Sequence, residues 1–196
     1  MTFAQLCDRV REQIGQDHRY AHCVRVARLG ERFARAHGAS THSARLAGML
    51  HDLARLYPAQ RLLEECARRG IVPTPFERSH PIVLHAPLSA RLAAELFGVR
   101  DAGVLSAIAK HTVAAAAMST LDCVVYLADG LEPGRSFPER EGLAALAERD
   151  LRAAMRGTLE ASLRFYKQKG IAAAPQTLEA ARTFGLSAGT LEARTA

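Results

Sequence analysis

From Phe3 to Gly185 the apolar residues recur every three to four positions, and nowhere do apolar and polar residues alternate as they would along a strand. That period lines side chains along one face of an α-helix, so the chain must bury its apolar surface by packing helix on helix. An all-α fold is predicted.

Glycine, proline and capping residues divide the pattern. Residues 3–14 form a first helix stopped by Gly15. A second, capped by Asp17, runs to about His37 with Tyr20, Val24, Ala27, Phe33 and Ala34 as its apolar stripe, and Gly38 closes it. Ser40 or Thr41 caps a third that continues to about Leu56, and Pro58 opens a fourth that ends at Gly70. Residues 71–81 hold three prolines and read as a loop. Further helices are predicted near 82–97, near 101–111 with Asp101 as cap, from Ser119 into Asp129, near 139–168, and from Pro175 to Gly185. The last eleven residues read as loosely held.

At 196 residues with 48% hydrophobic content, the chain suits one domain with its own core. There is no long uncharged apolar run, and the opening MTFAQLCDRVREQ lacks the charged-then-apolar order of a secretory signal, so a cytoplasmic protein with no membrane role is expected. Cys7, Cys23, Cys66 and Cys123 form no C-x-x-C pair and read as buried structural thiols. The net charge of +6 is carried almost wholly by arginine, with lysine only at 110, 167 and 169. This fits a polyanionic ligand, or simply a GC-rich genome. Nucleic acid is not expected: four tyrosines, seven phenylalanines and no tryptophan leave little for base stacking.

Several apolar helical segments nevertheless each carry one imidazole or carboxylate. "GMLHDLA" sets His51 beside Asp52, "RYAHCVRVA" contains His22, "IVLHAPLSA" His85, "AIAKHTV" His111 and "VVYLADGLEP" Asp129. Each alone would pass as a core or helix-end residue. Together they would crowd one small core with ionisable groups that all need partners, which a shared metal supplies. Imidazole nitrogen and carboxylate oxygen suit iron, manganese or zinc. Asp52, next to a histidine, can present one oxygen to each of two metals.

The order His22, His51-Asp52, Asp129 resembles the HD-domain metal-dependent phosphohydrolases, and His85 and His111 resemble the two-metal form of that site. "RYAHCVRVA", "LAGMLHDLAR", "LHAPLSA", "AIAKHT" and "MSTLDCVVYLADGLEPGR" together are similar to the YqeK branch, the symmetrical bis(nucleosyl)tetraphosphatases, over about residues 18–182. The resemblance implies a single-domain helical bundle of about eight or nine helices: an N-terminal helix over 1–16, a phosphohydrolase core over 17–170, and a C-terminal helix and tail over 171–196 that completes the nucleotide pocket. It implies a di-iron centre, with His22, His51, Asp52 and Asp129 on one metal and Asp52, His85 and His111 on the other. Asp52 and His51 are the expected catalytic residues. Arg19, Arg55, Lys110, Thr112, Tyr126 and Arg135 would surround the nucleotide, beside His85 and His111. Ala174, Pro175, Thr177 and Arg182 would line the pocket from the tail. The chain departs from the branch at Gly130, Ala86 and Ala174, none of them a proposed ligand.

The implied reaction is hydrolysis of diadenosine tetraphosphate, or a related dinucleoside polyphosphate, to nucleoside diphosphates by a metal-bridging hydroxide. The alternatives are a phosphohydrolase of deoxynucleotides or guanosine tetraphosphate, and a decayed nucleotide-binding regulator. A homodimer through the 139–168 helix is compatible with its mixed charged and apolar faces. Among lesser residues, His80 reads as surface, Asp122 as an exposed first-turn residue, and Glu132 as either a support for a metal ligand or the partner of an arginine.

Overall fold

A computed structural model of the chain describes residues 2–187. Among these residues there are helices and turns but no strand. The helices are α1 (Phe3–Ile14), α2 (Asp17–Ala36), α3 (Thr41–Leu50), α4 (Ala59–Arg68), α5 (Pro75–Ser79), α6 (His85–Phe97), α7 (Ala102–Lys110), α8 (Thr120–Leu131), α9 (Arg140–Ala147), α10 (Leu151–Lys169) and α11 (Pro175–Thr183), with a 3-10 turn over Pro81–Leu84. Among the described residues no helix is long and apolar enough to cross a membrane.

Several stops and caps are where the residues placed them, Gly98 after the helix predicted near 82–97 and Gly170 after that near 139–168 among them. Gly15, Gly98 and Gly170 each end a helix in the left-handed conformation. Ser40 accepts from Ser43 N, and Asp101 from the amides of Gly103 and Val104.

Among the described residues eleven α-helices replace the expected eight or nine, for local reasons. The helix predicted over 139–168 is two, because Asp150 adopts an extended backbone and caps α10 by accepting from Ala153 N. The proline-rich loop 71–81 contains α5, held by a capping box between Thr74 and Glu77 with Pro75 in its first turn. Gln16, not Asp17, precedes α2. The third helix stops at Leu50, six residues before the expected end, and residues 51–56 are turns. Likewise α6 begins at His85 rather than 82. Asp122 is 1% exposed instead of surface-facing; it completes a capping box with Ser119 and accepts from Lys110. The terminal stretch expected to be loosely held lies, from 188 onward, outside the described residues.

Two apolar clusters share α2. Cys23 and Ala27 face the first, with Met49, Leu50, Leu62, Leu84, Leu88 and Ile108. Val26, Leu29 and Phe33 face the second, with Leu127, Leu131, Met155 and Leu159. Lying between the clusters, α2 packs on α3 and α8, which brings His22, the end of α3 and the last turn of α8 together.

Candidate metal centre and substrate cleft

Three of the four central histidines sit where a helix or turn ends. His51 follows the last residue of α3, His85 follows the 3-10 turn, and His111 follows α7. A helix end leaves carbonyl oxygens without intrahelical partners. Each of these rings donates Nδ1–H to the carbonyl three residues back: His51 to Gly48 O at 2.8 Å, His85 to Ile82 O at 2.5 Å and His111 to Ile108 O at 2.7 Å. His22, inside α2, donates Nδ1–H to Glu132 Oε1 at 3.0 Å. A carbonyl can only accept, so Nδ1 carries the proton and, in the neutral ring, Nε2 presents its lone pair.

Those lone pairs converge in two pairs. His22 Nε2 lies 3.2 Å from His51 Nε2, and His85 Nε2 lies 3.1 Å from His111 Nε2. Facing lone pairs at that separation repel unless something positive lies between or beside them. Asp52 joins the pairs. Its Oδ2 is 3.4 Å from His51 Nε2 and 3.7 Å from His22 Nε2, while its Oδ1 is 3.3 Å from His85 Nε2 and 3.7 Å from His111 Nε2. Asp129 Oδ1 completes the first group, 3.0 Å from His22 Nε2. Two sets of nitrogen and oxygen donors, sharing one aspartate, therefore fit two divalent cations.

Electrostatics agree with this geometry. Burial would raise the Asp52 carboxyl, but His51, His111 and His85 more than reverse it and hold it well below the usual range. Asp129, also buried, is lowered by His22, His51 and Arg135. Burial outweighs Asp52 at His111 and lowers its pKa, whereas at His51 burial, the largest single effect, is overcome only by the charge and hydrogen bond of Asp52 together with Asp129 and Gly48 O, and the pKa is raised. Cys23 Sγ lies near the donors of His51 and Asp52, and burial pushes its thiol well up.

Glu132, 2% exposed, supports the cage from behind. Besides His22 it accepts from Arg25 Nε at 2.5 Å and from Gly134 N at 2.6 Å. It is thus both the support of a candidate ligand and the partner of an arginine. Burial raises its pKa, but Arg25, His22 and the Gly134 amide bring it down to about 2.

The cage floors a cleft of about 520 Å³ bordered by Arg19, Arg55, Thr112 and Arg135. A neighbouring lobe of about 740 Å³ shares Thr112, Asp129, Arg135, Phe165 and Tyr166 and is lined further by Tyr126 and Phe137. Arg19 Nη1 donates to Asp52 Oδ2 at 2.9 Å, leaving its Nε buried without a partner. Arg135 donates to Asp129 Oδ1 at 2.6 Å and to Asp129 O at 3.0 Å. Among the described residues the Arg55 side chain has no hydrogen bond or ion pair, and Thr112 Oγ1 lies 3.0 Å from His111 Nε2 and 3.2 Å from His85 Nε2.

The HD-domain family matches residues 19–134, more than half of the chain and the span from Arg19 past Asp129. The chain belongs to the HD-domain family. This HD-domain chain is 33% identical over 168 residues to the symmetrical bis(5'-nucleosyl)-tetraphosphatase of Bacillus subtilis, covering 86% of this chain and 89% of that one. It is 32% identical over 166 residues to the protein of the same name from Halalkalibacterium halodurans, covering 83% and 86%. A predicted HD-superfamily hydrolase involved in NAD metabolism from Clostridium acetobutylicum has a crystal structure similar to it with a TM-score of 0.89 and 29% identity, over 94% of this chain and 97% of that one.

Not every residue predicted for the HD-domain site is placed beside the cage. Lys110 turns to Asp122 Oδ2 at 2.8 Å and Ala117 O at 2.9 Å and lines neither lobe. Ala174 and Thr177 line the cleft, but the Thr177 hydroxyl donates to Val113 O at 2.9 Å and ties α11 to the turn after His111. Pro175 and Arg182 are exposed on α11 and line neither lobe. Conversely, Phe76, His80, Ile82, Phe165 and Ile171 line the cleft without having been predicted there. For Phe76 and His80 a signal existed: the capping pattern Thr74-Pro75-Phe76-Glu77 marks a helical turn that puts residues 76 and 80 on one face.

Proposed function

We propose that this chain is a divalent-metal-dependent hydrolase that splits diadenosine tetraphosphate and related dinucleoside polyphosphates at the central anhydride, giving two nucleoside diphosphates. The observation that carries the reading is Asp52, whose two oxygens face two different pairs of imidazole nitrogens at the floor of an arginine-bordered cleft. The tetraphosphatase relatives, aligned over more than four-fifths of the chain, supply the substrate class. In this reading His22, His51, Asp52 and Asp129 hold one cation and Asp52, His85 and His111 the other. Iron is the proposed metal; the same donors suit manganese or zinc. When bound, two such cations acidify a water and neutralise phosphoryl charge.

The chain's own residues do the rest. Arg55, without a hydrogen bond or ion pair among the described residues, and Arg19 and Arg135 meet the anionic bridge, and their planar forks match phosphoryl oxygens. Thr112, next to His85 and His111, is placed to donate to a phosphoryl oxygen. Hydrolysis exchanges one bond, from an interior phosphorus to the central bridging oxygen, for one to the water oxygen. The departing nucleoside diphosphate is already a stable anion, so no strong general acid is needed. Glu132 holds the His22 ring in its tautomer and orientation. Residues 171–187 close the nucleotide pocket through Ile171, Ala174 and Thr177.

The test is turnover of diadenosine tetraphosphate by metal-loaded protein, with the products separated and the metal of anaerobically purified protein identified. Nucleoside diphosphate as the only nucleotide product is expected. Adenosine triphosphate with monophosphate would overturn symmetrical cleavage, and selective release of nucleoside, pyrophosphate or monophosphate from deoxynucleotides or guanosine tetraphosphate would move the chain to those substrates. Replacing His51 or Asp52 by alanine should abolish turnover while circular dichroism keeps its helical signal.

A further inference from the structure

A substrate with a nucleoside at each end needs two places for a base, and the cleft has two apolar walls from separate parts of the fold. One comes from the end of α10 and the segment after it, through Phe165, Ile171 and Ala174. The other comes from α5 and the 3-10 turn, through Phe76, His80 and Ile82. Only six large apolar side chains are exposed among the described residues, and three of them, Ile82, Phe165 and Ile171, line this one cleft. Exposure of apolar surface is therefore concentrated beside the cage, where a ligand would cover it.

The α5 wall carries a stacked pair of rings. Phe76 and His80 lie with centroids 4.2 Å apart and planes at 12°. The pair is fixed: His80 Nδ1 lies 3.1 Å from Phe76 O and 3.0 Å from Ser79 Oγ, and the Thr74–Glu77 capping box holds the turn. Parallel rings held in place present a flat face to a planar ligand at little entropic cost.

We propose that Phe76 and His80 form the platform for the second base of the dinucleotide, the base of the half that departs, while the Phe165–Ile171 wall takes the first. The inference rests on the dinucleotide reading above and adds the reason the site prefers a dinucleotide to a mononucleoside polyphosphate: binding energy at a remote base is recovered at the reacting centre.

The test uses metal-loaded protein on two substrates, diadenosine tetraphosphate and adenosine 5'-tetraphosphate, which lacks the second adenosine. Phe76→Ala and His80→Ala should each lower kcat/KM for the dinucleotide about tenfold, the scale of one lost base-on-aromatic stack, and change it less than about twofold for the half-substrate. His80→Phe, which keeps a ring, should restore most of the preference. Equal loss on both substrates, or no loss on either, overturns the platform. Wild-type protein that leaves the dinucleotide intact refutes the activity and the platform with it, whereas wild-type turnover untouched by the substitutions refutes the platform alone.

Discussion

Gly48 offers the sharpest test of how the cage is built. It lies on α3 where that helix crosses α2, and a Cβ added there would stand 2.7 Å from Ala27 Cα, 2.8 Å from Ala27 N and 3.1 Å from Val26 C. These are backbone atoms, so no side chain can swing aside. Ordinary contact begins at 3.4 Å, and the helices would have to part by about 0.7 Å. Overpacking of this kind costs roughly 1–3 kcal/mol, partly offset by about 1 kcal/mol of better helix propensity for alanine. The melting temperature of metal-free Gly48→Ala should therefore fall modestly, by at most about 8 °C. Metal binding should suffer more. His51 hydrogen-bonds to Gly48 O and faces His22 on α2 at 3.2 Å, while ligand distances tolerate only about ±0.2 Å. A loss of at least about tenfold in affinity is expected, measured by competition with a chelator. Gly30→Ala is the control. On the same α2, its Cβ would meet Ala128 Cβ and Ala44 O at an ordinary 3.6 Å. That substitution should leave metal affinity unchanged and add about 0.5–1 kcal/mol of stability. Should Gly48→Ala hold metal as tightly as Gly30→Ala, the idea that helix separation sets the cage is wrong.

Glu132→Gln keeps the shape behind His22 but removes the charge, and should lower metal affinity about 10–100-fold as read by metal titration. In the metal-free wild type, Glu132 is held at about 2 against an ordinary 4.5. Its contribution to stability is complete above 4.5 and is lost as pH falls towards 2, so acid melts of wild type and Glu132→Gln should converge over that window. Arg55→Ala, which breaks no ion pair among the described residues, should raise KM for the dinucleotide about tenfold with metal content unchanged. Loss of metal in step with affinity would show that Arg55 supports the cage and not the substrate.

Local chemistry was legible in the chain because it depends on neighbours in sequence. The 3.6-residue period set the helical class, and Gly15, Gly98, Gly170, Ser40 and Asp101 marked helix ends, since a cap needs only residues within one turn. Histidines and aspartates set in apolar segments marked themselves as candidates for one cluster, because isolated ionisable groups do not stay buried. Tertiary packing alone decided the rest. The stop of α3 at Leu50, against the expected run to Leu56, puts His51 at a helix end where Gly48 O fixes its tautomer. Lys110 was drawn to the buried Asp122, a competition that spacing does not reveal. The ring wall at Phe76 and His80 depends on where a five-residue helix docks, which period and propensity cannot specify in so short a segment. Sequence thus determined which groups are available for the cage; the crossing of α2 with α3 and α8 determined where their lone pairs point, because orientation is set by contacts between residues far apart in the chain.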